Sequence, residues 1–311
     1  MANDLSTFQS NAEGWQQALY AFLAEKHRRS ESNRTVQSYS RLLQGFFGQL
    51  GKEPNSVNSR EIFAWAHGVG LSGKQPSSIT IGARIACLSS FYRFLIRMEL
   101  AQSNPCDKLE RPKVSPSPPR GLSGEQIQKL LTVVPNTPSG LRDRAIILTL
   151  VLTGRRRAEV IEMKAGDLNV EGERTYYSYR GKGGKTGRRE LPQPAIEVIR
   201  TSLRAFGKVL DSLPPSESLW QSNSSNGKGI TSGTFYGNLQ KYFLKAGIRP
   251  SGVHIFRHSA AKLRRDVGET IEEVSRFLDH SSLAVTTVYL RRLEGEQDKS
   301  WAKVAEAIGV G

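Results

Sequence analysis

The sequence predicts a mainly α-helical protein with one small β-sheet, built as two domains joined by a stiff strap. Three observations carry that prediction. Apolar residues recur at helical spacing through most of the chain. Strand-favouring residues gather in one short region, 174–191, around a glycine-rich tip. Across residues 109–121 four prolines interrupt both patterns, and proline blocks helix continuation.

In the first domain, residues 12–108, four helices are readable. Residues 14–26 place Trp15, Leu19, Tyr20, Phe22 and Leu23 near helical spacing. A helix from Asn33 or Arg34 to Leu50 carries a stripe of Val36, Tyr39, Leu42, Leu43, Phe46, Phe47 and Leu50 that stops at Gly51. A shorter helix spans 59–67, with Ser59 as candidate N-cap. The fourth runs from Ser77 or Ser78 to Met98. It has Ile81, Ile85, Leu88, Phe91, Leu95 and Met98 on one side and Arg84, Arg93 and Arg97 among hydroxyls on the other. By itself this pattern reads as a four-helix bundle with a solvated basic face.

The strap has two basic residues and no acid after Arg111, so it suits either an inert spacer or a segment lying along phosphates. Beyond it, in residues 122–311, Ser123 and Gln126 form a capping-box pattern that opens a helix through Leu131. Residues 141–152 are an apolar core helix that ends at Thr153-Gly154, followed by Arg155, Arg156 and Arg157. Strands are expected over 174–180 and 188–191, joined by the tip 181–187. The Gly-Lys-Thr at the tip is not a nucleotide-binding P-loop: Tyr179 stands where its first glycine belongs, and strand follows rather than helix. Helices follow over 194–210 and 234–246, with 216–233 read as loop, and another helix carries His254 onward.

The 311 residues include 44 Lys+Arg against 29 Asp+Glu, a formal charge of +15 with pI near 10. Residues 1–110 contribute 12 basic and 9 acidic residues, so most of the excess lies in the second domain. Such an imbalance favours a polyanionic partner, nucleic acid above all. Two cysteines, Cys87 and Cys106, make no disulfide framework or zinc set and suit a reducing cytoplasm. No apolar run is expected to reach the length of a membrane span, and the polar start is not a signal peptide.

The richest stretch for chemistry is 254–289: His254-Ile-Phe-Arg257-His258, then Asp279-His280-Ser-Ser, then Val288-Tyr289. A phenol, with a pKa of about 10, is a weak nucleophile until a base takes its proton. Its attack on a phosphodiester builds negative charge on the non-bridging oxygens. Arginine holds two such oxygens in a planar fork, and histidine donates a hydrogen bond or moves the phenolic proton. His254 and His258 stand four apart, as zinc ligands can, but Ile255 occupies the place of a zinc protease's glutamate, so no metal is expected.

In these motifs the chain resembles the tyrosine recombinases: phage integrases and the Xer-type enzymes. Their pattern is His-x-x-Arg-His, then Gly-His-Ser, then Tyr nine residues after that histidine. His254, Arg257, His280 and Tyr289 fall on those places, with gaps of 3, 23 and 9. Phe256 replaces the usual leucine, and Asp279 the usual glycine. The family's first arginine box, Gly-x-Arg-x-x-Glu, falls on Gly154, Arg156 and Glu159, which puts Arg156 and Glu159 on one helix face.

The resemblance implies a helical, SAM-like core-binding domain and a catalytic domain closing on DNA as a C-shaped clamp. It implies Tyr289 as nucleophile, Arg156, Arg257 and His280 as phosphate ligands, His254 as base and Lys182 of the hairpin as acid. Glu159 and His258 are supporting residues; Arg84 and Lys185 are candidates for contact with DNA, and Lys185 is also the alternative acid. No cofactor is implied, the partner is double-stranded DNA with specific sites, and a homotetramer is expected on it. The apolar stripe of Trp301, Val304, Ala305 and Ile308 docks on its own domain or on a neighbouring protomer. Rival readings are a type IB topoisomerase-like enzyme, a hairpin telomere resolvase, and a non-catalytic DNA-binding regulator.

Overall fold

The computed structural model describes residues 15–70, 73–113, 121–180, 186–223 and 229–279. The chain divides into two compact units, Met1–Pro116 and Ser117–Gly311. Among the described residues it is mainly helical with one three-stranded sheet, as the sequence predicts.

The first unit has four α-helices among its described residues: α1 (Trp15–Ser30), α2 (Asn33–Leu50), α3 (Ser59–His67) and α4 (Ser78–Arg97). Local rules set their ends. Ser32 caps α2 by accepting from the Thr35 N–H, and Gly51 closes it in the left-handed region, φ 62°, with its N–H on Phe47 O. α3 is capped by Asn58, not by Ser59. Asn58 has Glu61 three positions on, and the two side chains satisfy each other's backbone N–H groups; Ser59 instead donates to Pro105 O at 2.7 Å.

Buried Phe22, Phe46, Phe47 and Phe91 meet largely edge to face at the centre of this unit. The expectation that no apolar run reaches membrane-span length needs correction: α4 is long and apolar enough by length and composition. Its Ile85, Leu88, Phe91 and Leu95, however, are buried in the core of the four-helix unit. Met98 leaves that stripe. α4 ends at Arg97, the chain turns through Glu99 at φ 59°, and the Met98 side chain stays exposed.

The second unit is arranged around α6 (Pro138–Thr153), preceded by α5 (Gly124–Thr132). α6 starts earlier than its apolar run suggests, because Thr137 caps it and Pro138 takes the first helical turn, where a missing N–H costs nothing. It packs against α7 (Arg157–Ile161), α8 (Gln193–Ala205), α9 (Ser232–Lys245) and α10 (Ile255–Asp266). The sheet is antiparallel, in the order β1 (Leu168–Glu171), β2 (Arg174–Arg180), β3 (Thr186–Glu190). β1 was not expected; its four residues have no buried member and so no alternating apolar signal. The stretch 216–233, expected as loop, is pinned by the bridges Lys164↔Ser218 and Gln221↔Gly229 and buries Leu219 and Trp220. Indole Nε1 of Trp220 donates to Val160 O. Short α11 (Ile271–Phe277) completes the described part, opened by a Thr270–Glu273 capping box.

A buried charge network locks α6 to α9. Arg142 donates from Nε and Nη2 to Asp143 Oδ1 at 3.0 and 2.8 Å, and from Nη1 to Gln221 O at 2.9 Å. Asp143 Oδ2 accepts from Asn238 Nδ2 and from the Tyr242 hydroxyl, both at 2.8 Å. With every partner present the desolvated carboxylate is tolerated; with the carboxylate gone, Arg142 is a buried, unpaired cation. Asp143→Ala is therefore expected to destabilise the second unit by about 3–5 kcal/mol, read from denaturant midpoints at unchanged slope.

Candidate active site

The turn after α6 sets the site. Gly154 closes α6 with φ 60° and its N–H on Leu150 O. A Cβ there would lie 2.5 Å from Phe277 Cε1, so both the backbone and the approach of α11 require glycine. The two arginines that follow part company. Arg155 turns inward and is 1% exposed, with its guanidinium 4.6 Å from the Tyr179 ring centre. Arg156 is the N-cap residue of α7 and stays partly exposed. Its Nη1 donates to Glu159 Oε1 at 2.8 Å, while Glu159 Oε2 accepts the Arg156 backbone N–H at 3.1 Å. The carboxylate thus fixes both ends of the arginine.

α10 supplies the facing groups. His254 is its N-cap residue, and Arg257, one turn on, is 3% exposed. Arg257 Nη1 donates to Gly154 O at 2.8 Å and Nη2 to Leu278 O, so its fork is anchored by two backbone carbonyls. The His254 and His258 rings meet edge to face with centres 4.7 Å apart. Phe256, the departure from leucine, is fully buried and stacks on Phe243. The end of the strap meets the same helix: Leu122 N–H donates to Ser259 Oγ at 2.8 Å, and a Cβ at Gly121 would lie 2.9 Å from His258 O.

Arg156, Arg257 and His254 are close enough to repel one another as cations. Burial, then Arg156 and Arg155, lower the Arg257 pKa to about 10. His254 lies at the exposed edge, yet partial loss of solvent around its ring, then Arg257 and Arg156, hold it below the ordinary histidine value. A bound anion would oppose the part of both shifts that comes from the neighbouring guanidiniums. Two guanidiniums and an imidazole held together, with the carboxylates of Glu159 and Asp279 only partly offsetting their charge on Arg257, have the chemistry of a phosphate cradle.

The model of the phage integrase family matches residues 120–296, more than half of the chain. The chain belongs to the phage integrase family. Tyrosine recombinase XerA of Pyrococcus furiosus is 29% identical over 262 residues, 84% of each chain. Tyrosine recombinase XerD of Listeria innocua is 27% identical over 265 residues, 83% of this chain and 88% of its own. A crystal structure of a lambda integrase dimer bound to a COC' core site shares the fold, with a TM-score of 0.68 at 18% identity over 93% of this chain and 80% of that one. The chain is thus a tyrosine recombinase of the Xer-like branch, a site-specific recombinase and DNA strand transferase.

Of the residues the integrase pattern picks out, Arg156, Glu159, His254, Arg257 and His258 come together around this turn. Lys182, Lys185, His280 and Tyr289 lie outside the described residues, as does the apolar stripe 301–308. Arg84 has a different setting from the one expected. Its Nη1 donates to the carbonyls of Trp65, Ala66 and Gly68 at 2.8–3.0 Å, and its guanidinium lies over the Trp65 ring. It closes the C-terminus of α3, where a cation suits the helix dipole. Three groups at the site escaped the sequence reading, Arg155, Tyr179 and Arg189, the donors that meet the carboxylate of Asp279. The substitution of aspartate for the family's glycine was the signal that could have found them.

Two outcomes follow. Arg84→Gln is expected to destabilise the first unit by about 1–3 kcal/mol through the lost α3 cap, measured by chemical denaturation. His254 takes its proton at lower pH when folded, so the unfolded chain binds it first and stability falls as pH drops through about 6.5. His254→Gln should shrink the loss of denaturant midpoint between pH 7.5 and pH 5.5 relative to wild type.

Proposed function

We propose that Tyr289 attacks a scissile DNA phosphate and that Arg156, Arg257 and His254 form the described half of its active site. The convergence of two guanidiniums on an imidazole kept neutral is the observation that carries this reading. Neutral His254 takes the phenolic proton. The Tyr289 oxygen then bonds to phosphorus, the bond to the 5′ oxygen breaks, and Lys182 protonates that oxygen as it leaves. His280 joins the arginines on the non-bridging oxygens, where charge builds in the transition state. The 3′-phosphotyrosine keeps the energy of the ester it replaced. A 5′-hydroxyl from a second duplex attacks it in turn, so exchange requires neither ATP nor metal.

Four protomers on two sites would pass through a Holliday junction. The lambda integrase fold neighbours include a tetramer bound to such a junction. The first unit, residues 12–108, would hold the duplex from one side, with the strap 109–121 between it and the catalytic domain, residues 122–311. Lys26, Arg29, Arg93 and Arg97 of that domain, with Arg111 of the strap, line one cleft with Glu25, a setting suited to backbone phosphates. The buried thiols of Cys87 and Cys106, each pushed up to about 12, are unreactive and fit a cytoplasmic protein.

The test starts from duplex sites selected by this chain out of a randomised library, rebuilt as nicked suicide substrates. Wild type should give a covalent protein–DNA adduct mapping to residue 289. Tyr289→Phe should bind but give none. Arg257→Lys, which keeps the charge and loses the fork, should slow adduct formation by roughly a hundredfold or more. An adduct formed undiminished by Tyr289→Phe overturns the proposal.

A further inference from the structure

Three guanidiniums meet the C-terminal end of α11, one carbonyl each. Arg189 donates to Arg276 O, Arg155 to Phe277 O and Arg257 to Leu278 O. Each comes from a different place: β3, the turn after α6, and α10. Asp279 follows at φ 50°, the left-handed region that glycine fills most easily. Its carboxylate accepts from Arg155 and the Tyr179 hydroxyl on Oδ2, and from Arg189 on Oδ1. These donors sit on the arginine-box turn and on both strands of the hairpin. His280 is the next residue in the chain, and Lys182 lies three residues beyond Tyr179 on the same hairpin.

We propose that Asp279 is a positioning residue: its carboxylate ties the hairpin and the arginine-box turn to the point where the chain leaves α11 for His280 and Tyr289. Glycine would relieve the backbone there but could make none of the three bonds. Asparagine is among the residues most tolerant of φ 50° and keeps the shape, but it lacks the charge that Arg155 and Arg189 face. The carboxylate is thus neutralised by two guanidiniums rather than left beside His280. The inference rests on the proposed role of Tyr289, and its effect is on geometry at the reacting phosphate rather than on DNA binding.

The experiment measures adduct formation by the full chain on the selected nicked duplex, across DNA concentrations and well below the melting temperature of each variant. Asp279→Asn and Asp279→Gly are both expected to lower the rate at saturating DNA by about tenfold or more. The half-saturating DNA concentration should stay within about twofold, a split that a general loss of folded protein does not produce. Wild-type rates in both variants, with Tyr289→Phe inactive, overturn the inference and leave the function standing. An active Tyr289→Phe overturns both. Should the Asp279 variants not fold, Tyr179→Phe and Arg189→Gln carry the test: slowing by about threefold or more in each supports the inference, and wild-type rates overturn it.

Discussion

The end of α11 is the constraint on which the catalytic unit depends. A helix leaves its last carbonyls unpaired and carries partial negative charge there. In this chain those carbonyls are not left to water or closed by a glycine motif. They accept from guanidiniums that arrive from β3, the arginine-box turn and α10. Long, flexible chains that would otherwise sample many rotamers are held by fixed backbone oxygens. One short helix therefore gives three elements a shared set of backbone anchors.

That arrangement also divides labour between adjacent arginines. Arg155 is buried under Tyr179 and fully partnered, while Arg156 is held only at one edge by Glu159 and keeps donors facing outward. Arg257 is intermediate: its Nη1 and Nη2 each have one backbone partner, and a guanidinium has five N–H groups to offer. Anchoring through backbone carbonyls leaves the positive charge uncancelled. The cluster consequently repels itself until an anion arrives; burial first, and then the charges of Arg156 and Arg155, bring the Arg257 pKa down to about 10. Fold stability here comes from the core around α6 and from the Arg142–Asp143 network, which lets the site remain electrostatically unfavourable on its own.

The sequence made parts of this legible and hid others for physical reasons. Helices with strong apolar stripes and a clear stop, such as α2 ending at Gly51, could be read to the residue. Gly154 and Glu159 singled out Arg156 among three arginines as the partner of Glu159, and the two side chains do meet, with Arg156 as the N-cap residue of α7. The α3 cap was misplaced by one residue because two capping side chains stand side by side, and only Glu61 decides between them. β1 is short and open to solvent, so it carries no periodic signal. Arg84 looked like a free basic residue on a helix face; its three carbonyl partners come from the end of another helix, a contact no local pattern encodes. The cage around Asp279 joins it to residues 90 to 124 positions away in sequence, and nothing short of the fold brings them together.

Asp279 shows how a departure from a family pattern can be read physically. A carboxylate beside a histidine ordinarily raises the imidazole's pKa. Here burial pushes the carboxyl up, but the bonds from Tyr179, Arg155 and Arg189 and the charge of Arg155 more than reverse that, holding it at about 2. Such a carboxylate stays ionised throughout the neutral range and its charge is matched locally. Its contribution to stability is present above the ordinary aspartate range of about 4 and is lost as pH falls toward 2. The substitution therefore has to be weighed together with Arg155 and Arg189: the three form one unit, and a single exchange back to glycine would leave two cations facing each other across the gap.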